Sequence, residues 1–223
     1  MTAREFISAL KIIAHEYPEA IPKREIFSLA KEFIQMPTCE VVKLLQNDHH
    51  DHRIGAVSIL DWKARSKKIS TTEKEEVYRA YMDNHKWIDD WGLVDRAAPY
   101  VVGGFLHDKP RDPLYQLAKS KNAFERRTAI VSTYFFIRQN DIEDTFKIAE
   151  ILVHDSDHSV QTAVGSWIRE AGKRDETRLK AFLDKYAGTM PRIALRYAIE
   201  KFDRNTKDFY LGAKNEKTTA NKR

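Results

Sequence analysis

The chain has 223 residues and a mass of 26.0 kDa, enough for one large domain or two small ones around a real core. Hydrophobic residues make up 42% and charged residues 32%, and no run approaches the roughly 18 apolar residues of a membrane span, which excludes both a disordered and a membranous chain. The net charge of +5 hints at an anionic partner, while the single Cys39 excludes an intrachain disulfide or a zinc-finger site and suits a reducing cytoplasm.

The first twenty residues carry a charge every few positions, so no secretory leader is expected. With only 8 Gly and 7 Pro and no alternating apolar stretch, helical periodicity runs nearly end to end. Pro18, Pro22 and Pro37 punctuate the first helices. Asp48 and His49 read as a loop before the helix that opens near Asp51, on which Val57, Leu60 and Ala64 share a face. Ser70 or Thr71, ahead of Glu73, reads as the N-cap of the next helix. Residues 87–99 read as a central helix, and Gly103 and Gly104 as a turn or kink. Beyond Pro110 and Pro113 a helix runs from Phe124, with Tyr134, Phe135 and Phe136 assigned to packing between repeats. Ala149, Leu152 and Val153 face one side of the helix after it. Asp155, Ser156 and Asp157 cap a helix from His158, and Gly188 and Pro191 precede the last one. Residues 204–223 are polar, basic and aperiodic, and read as a frayed, disordered tail. The expectation is about a dozen helices joined by short loops.

Four of these helices repeat a pattern: DHRIGAVSILDWKAR, FERRTAIVSTYFFIR, HSVQTAVGSWIREAGK and MPRIALRYAIEKFD. A small residue recurs in each, at Ala56, Ala129, Ala163 and Ala194, spaced by 73, 34 and 31 residues. The first gap is close to two periods. A period near 35 built of helix pairs predicts an all-α HEAT-like solenoid over residues 1–203, a curved slab with a concave inner face. One helix pair cannot bury its apolar side alone, and alanine lets neighbours approach closely.

The repeated helices, expected to line the concave face, carry much of the positive charge. Arg53, Arg126, Arg169, Lys173 and Arg192 are the candidate DNA contacts, placed at helix ends where phosphates could be reached. Basic residues at helix C-termini also complement the macrodipole, and spacing alone leaves both readings open. The same holds at the centre. Trp91 and Asp95 are i and i+4, so both project from one helix face, with Gly92 between them. They read either as a packing ring and a helix-end ion pair, or as an aromatic face beside a carboxylate that stabilises a cation. Arg126 and Arg127 follow about one repeat later and can hold a phosphate or a carboxylate.

The order W-x-x-V-D, R-R-x-A-I, A-V-G-x-x-I-R-E-x-G-K and M-P-R-x-A-L-R-Y-A-I-E-K over residues 38–203 resembles the DNA alkylation repair glycosylases of the AlkD type. The resemblance implies a monomer that binds alkylated double-stranded DNA in its concave groove. It implies hydrolysis of the N-glycosidic bond of N3- and N7-alkylpurines, without base flipping and without a cofactor. It assigns the catalytic carboxylate to Asp95, its aromatic partner to Trp91 and the supporting Arg to Arg127. Ser166 stands where the family commonly has a second Trp. Trp167 comes one position later, rotated by about 100° and expected to face the core. A Tyr-bearing N-terminal helix of the family has no clear counterpart. Two alternatives therefore stand beside the glycosylase: a non-catalytic module binding damaged DNA, and a protein–protein scaffold.

No metal site is expected. His49, His50, Asp51 and His52 are consecutive and diverge on a helix, as do the residues around His154 and His158. Cys39 has no histidine nearby, and no nucleophile elbow or phosphate loop occurs.

Overall fold

The computed structural model describes residues 1–213. Every regular element among them is helical, and no helix is long and apolar enough to cross a membrane. The chain divides into two compact units, Met1–Lys109 and one beginning at Pro110.

The first unit is built around α4 (His50–Ala64), which packs against α2 (Lys23–Glu32), α3 (Thr38–Leu45) and α5 (Thr71–Met82). From Arg53 to Asp61 every residue of α4 is buried, as befits a helix enclosed on all sides. α1 (Ala3–Glu16) starts in a capping box formed by Thr2 and Glu5, and buries Phe6 edge-on against Phe33. Ser70 and Glu73 form the same box at the start of α5, where the sequence expects a cap. After a short 3-10 turn at His85–Trp87 comes α6 (Trp91–Ala98). It continues through a π-helical stretch, Pro99–Gly103, into α7 (Gly104–Leu106). Pro99 lacks an N–H, and the Gly104 amide reaches back five residues to the Pro99 carbonyl, so the predicted kink at the glycine pair is a widened turn.

The second unit comprises α8 (Asp112–Leu117), α9 (Ala123–Ser132), α10 (Tyr134–Arg138), α11 (Glu143–Leu152), α12 (His158–Gly172), α13 (Glu176–Tyr186), α14 (Arg192–Ala198) and α15 (Arg204–Gly212). α10 closes with Asn140 in the left-handed region (φ 62°), and the Asp141 amide returns to the Phe136 carbonyl in a Schellman motif. Asp157 caps α12 through the amides of Ser159 and Val160, as the loop before it predicts. The repeat alanines Ala56, Ala129, Ala163 and Ala194 are all buried to 1% exposure or less.

One sequence expectation is corrected. Residues 204–212 are a helix and not a frayed tail. Asp203 caps it through the Thr206 amide, and buried Tyr210 donates its hydroxyl to Asp184. A cap and one buried ring suffice for nine residues that show little periodicity. The rest of the tail, from residue 214, lies outside the described residues.

α12 packs closely on α14 in the second unit, and Gly165 permits the approach. A Cβ there would overlap the Ala194 carbonyl oxygen and meet the Tyr197 Cβ at 2.7 Å. A backbone carbonyl cannot swing aside. Gly165→Ala is therefore expected to destabilise the protein by about 3 kcal/mol, lowering the melting temperature by roughly 6–12 °C. Far-UV circular dichroism checks this, and a shift under 2 °C would mean that α14 repacks freely.

Candidate functional site

Asp90 sets the geometry at the start of α6. Its carboxylate accepts the Gly92 amide at 2.8 Å, so the helix begins at Trp91 and not at residue 87. Leu93, Val94, Ala97 and Ala98 bury one side of α6. The opposite face presents Trp91, 53% exposed, and the half-buried Asp95 one turn on. An indole that open at a helix start is not sealed into the core.

One cation borders this face, and a second anchors the helix behind it. The Lys23 ammonium, from the first residue of α2, lies 5.5 Å from the Trp91 ring centroid. It also sits close to the backbone of Gly92, where an added Cβ would meet it at 3.2 Å. Arg96, next to Asp95, turns the other way. Its Nε donates to Ser58 Oγ at 3.2 Å, and its NH1 pairs with Asp61 Oδ2 at 2.9 Å. Its guanidinium lies over Phe27 and Trp62, 4.5 and 5.2 Å from the ring centroids. Arg65 Nε holds both oxygens of the same fully buried Asp61 at 2.8 Å, while its guanidinium stacks 3.6 Å from the Tyr100 centroid. Burial pushes the Asp61 carboxyl upward, and the Arg65 and Arg96 guanidiniums pull it back. Arg96 thereby fastens α6 to α2 and α4, and with it the azimuth of Asp95.

The basic residues singled out from sequence are engaged inside their own units. Arg53 is 8% exposed; its NH1 donates to the carbonyls of Asn47 and Asp48 at 3.0 Å, and its NH2 reaches Asp89 at 3.1 Å. Arg126 repeats this arrangement: NH1 donates to the carbonyls of Ser120 and Lys121 at 3.0 Å, and the rest of the fork grips Asp155 at 2.6 and 2.9 Å. That pairing raises the Arg126 guanidinium further. Each of these arginines ties the loop before its helix to an aspartate roughly one repeat on. Arg127 is 6% exposed and donates to the Ser159 carbonyl. Arg169 pairs with Glu200 and Glu170, Lys173 with Glu170 at 2.7 Å, and Arg192 donates to the Leu211 carbonyl.

Ser166 and Trp167 are both half-buried on α12. Trp167 does not enter the core. It packs against Tyr134, with ring centroids 5.0 Å apart. Among the described residues no group of three or more His, Cys, Asp or Glu is placed to hold a metal ion. His49 and His52 stack 4.7 Å apart instead, and His52 Nδ1 pairs with Asn47 at 2.8 Å.

A sequence profile of the family described as DNA alkylation repair enzyme matches residues 19–202. No curated protein matches the chain significantly. Among solved structures the chain is similar to a "Predicted DNA alkylation repair enzyme from Enterococcus faecalis", with a TM-score of 0.63 and 14% identity over 92% of this chain and 98% of that one. At that identity the likeness is one of fold.

Proposed function

The chain belongs to the DNA alkylation repair enzyme family, and from its DNA repair role we propose the reaction: hydrolysis of the N-glycosidic bond of N3- and N7-alkylated purines in duplex DNA. The observation that carries this reading is the pairing, on one accessible face of α6, of an open indole with a carboxylate one turn away. Alkylation at N3 or N7 puts a positive charge on the purine, which then departs without a general acid. What the enzyme must supply is stabilisation of the oxocarbenium-like sugar and a placed water. The Asp95 carboxylate supplies the charge and the water contact, and the Trp91 ring offers its negative face to the cationic sugar. A face on a helix, in place of a deep pocket, suits a lesion read without being flipped out of the duplex. The Arg127 guanidinium, tied to the start of α12, has a supporting role in the second unit.

The test is base release. A duplex carrying N7-methylguanine is incubated with excess protein, and free base is measured by chromatography. Free N7-methylguanine with an abasic duplex left behind is the expected result, and its absence overturns the reading. Ser166, in place of the aromatic residue the resemblance implies, favours a second reading: a monomeric module that binds damaged DNA and excises nothing. That module predicts tighter binding to the lesion duplex with no free base.

A further inference from the structure

Arg53, Arg126, Arg169, Lys173 and Arg192 are engaged by carboxylates or carbonyls, whereas Lys23 and Lys31, outside the repeat pattern, rest on aromatic rings. Lys23 and Lys31 are exposed on α2 and take part in no ion pair among the described residues. They are eight residues apart, so they project from one face about 12 Å from each other, the rise of three to four base pairs. Each ammonium rests on an indole: Lys23 lies 5.5 Å from the Trp91 centroid, and Lys31 lies 5.3 Å from the Trp62 centroid. Phe27 stands between them in sequence and lies under Arg96. Its carbonyl accepts the Trp62 Nε1 at 3.2 Å, which locks α2 to α4 along this line. The stripe therefore runs Lys23, Phe27, Lys31 along α2, with Trp91 and Asp95 beside its first member.

We propose that Lys23 and Lys31 are the phosphate contacts of the Met1–Lys109 unit, leaving the faces of Trp91 and Trp62 for the backbone of one DNA strand. This deepens the DNA-glycosylase reading and rests on it. An exposed cation–π contact is weaker than a charge-assisted bond to a phosphate, so the exchange runs downhill when DNA arrives. It also solves a problem at the site. In the free protein a lysine covers the Trp91 face that a cationic sugar needs, and the phosphate draws that lysine off. Asp90 and Asp95 lie within one turn of Trp91, and Lys23 adds positive charge beside them, which favours the approach of a polyanion.

The experiment is the salt dependence of affinity for an undamaged duplex, measured by fluorescence anisotropy on the full chain. Each of Lys23→Gln and Lys31→Gln is expected to reduce the magnitude of the log K against log salt slope by about 0.9, and the double variant by about 1.8. Lys23→Arg is expected to restore the parent slope, since it keeps the charge. Lys185→Gln is the control for net charge, because its ammonium already pairs with Glu150 at 3.2 Å; it should leave the slope unchanged. A double variant with the parent slope, or an equal loss in the Lys185 control, overturns the assignment. The two readings fail separately. A parent that binds duplex with a steep salt slope but releases no base sinks the glycosylase and leaves the lysines in place. A parent that releases base, with a double variant of unchanged slope, does the reverse.

Discussion

Asp95→Asn is expected to lower base release from N7-methylguanine duplex by about 10²–10³-fold, while affinity for DNA stays equal or rises slightly. The substitution keeps the shape of the side chain and removes its charge. Removing one well-placed group that stabilises developing charge typically costs a factor of this size. The direction of the binding change follows from sign. A carboxylate near a polyanion opposes binding, so its neutral isostere cannot weaken the complex electrostatically. The fold should be indifferent, because α6 is anchored by Leu93, Val94, Ala97 and Ala98 and by Arg96, none of which is touched. Single-turnover release and anisotropy on the same preparation check both halves. Equal release by the variant and the parent would remove Asp95 from the chemistry.

Much of this site is legible in the chain because it depends on local spacing. The i, i+4 relation of Trp91 and Asp95 survives although the helix starts at Trp91 and not at residue 87. The signal for the later start is Asp90, a residue type that favours caps and stands directly before the first helical residue. The four repeat alanines were likewise readable, because burial at a helix–helix crossing leaves a periodic mark. The basic residues were not readable in the same way. Arg53 and Arg126 stand where phosphate contacts are expected, but their partners Asp89 and Asp155 lie 36 and 29 residues on. A guanidinium that reaches across a repeat leaves no local pattern, so a structural staple and a DNA contact look alike in one sequence. The converse holds for Lys23. It falls at the start of α2, outside the repeated helices, and only tertiary packing brings its ammonium over Trp91. Rotation along α12 points Trp167 toward the core, but Tyr134 of a neighbouring helix gives it a half-buried partner outside it. Helical phase tells which way a side chain leaves its helix, and not what waits there.

Arg96→Met is expected to destabilise the protein by about 3 kcal/mol at pH 8, and by clearly less near pH 5. Methionine retains volume over Phe27 and Trp62, so the change isolates the charge. Asp61 is then left with Arg65 alone, whose side chain is 36% exposed and can turn to water, whereas Asp61 is fully buried. Burial already raises the Asp61 carboxyl, and Arg96 is one of the two groups opposing that rise. Without it the folded-state value climbs further above the ordinary aspartate range. A group whose folded value is raised contributes stability that is complete at low pH and lost as pH rises through that value. The variant should therefore regain stability on acidification, relative to the parent. Adding Asp61→Leu to Arg96→Met removes the stranded charge, and is expected to recover most of the loss, as buried pairs replaced by apolar groups generally do. Urea titrations of the four members of this cycle at both pH values check the prediction. A loss below about 1 kcal/mol for Arg96→Met at pH 8, or no recovery in the double variant, would show that the triad carries no structural load. The double variant also separates stability from placement. It restores the fold, yet α6 has lost the two contacts, to Ser58 and Asp61, that set the azimuth of Asp95. Base release should then stay low while the salt slope of DNA binding, carried by Lys23 and Lys31, is unchanged.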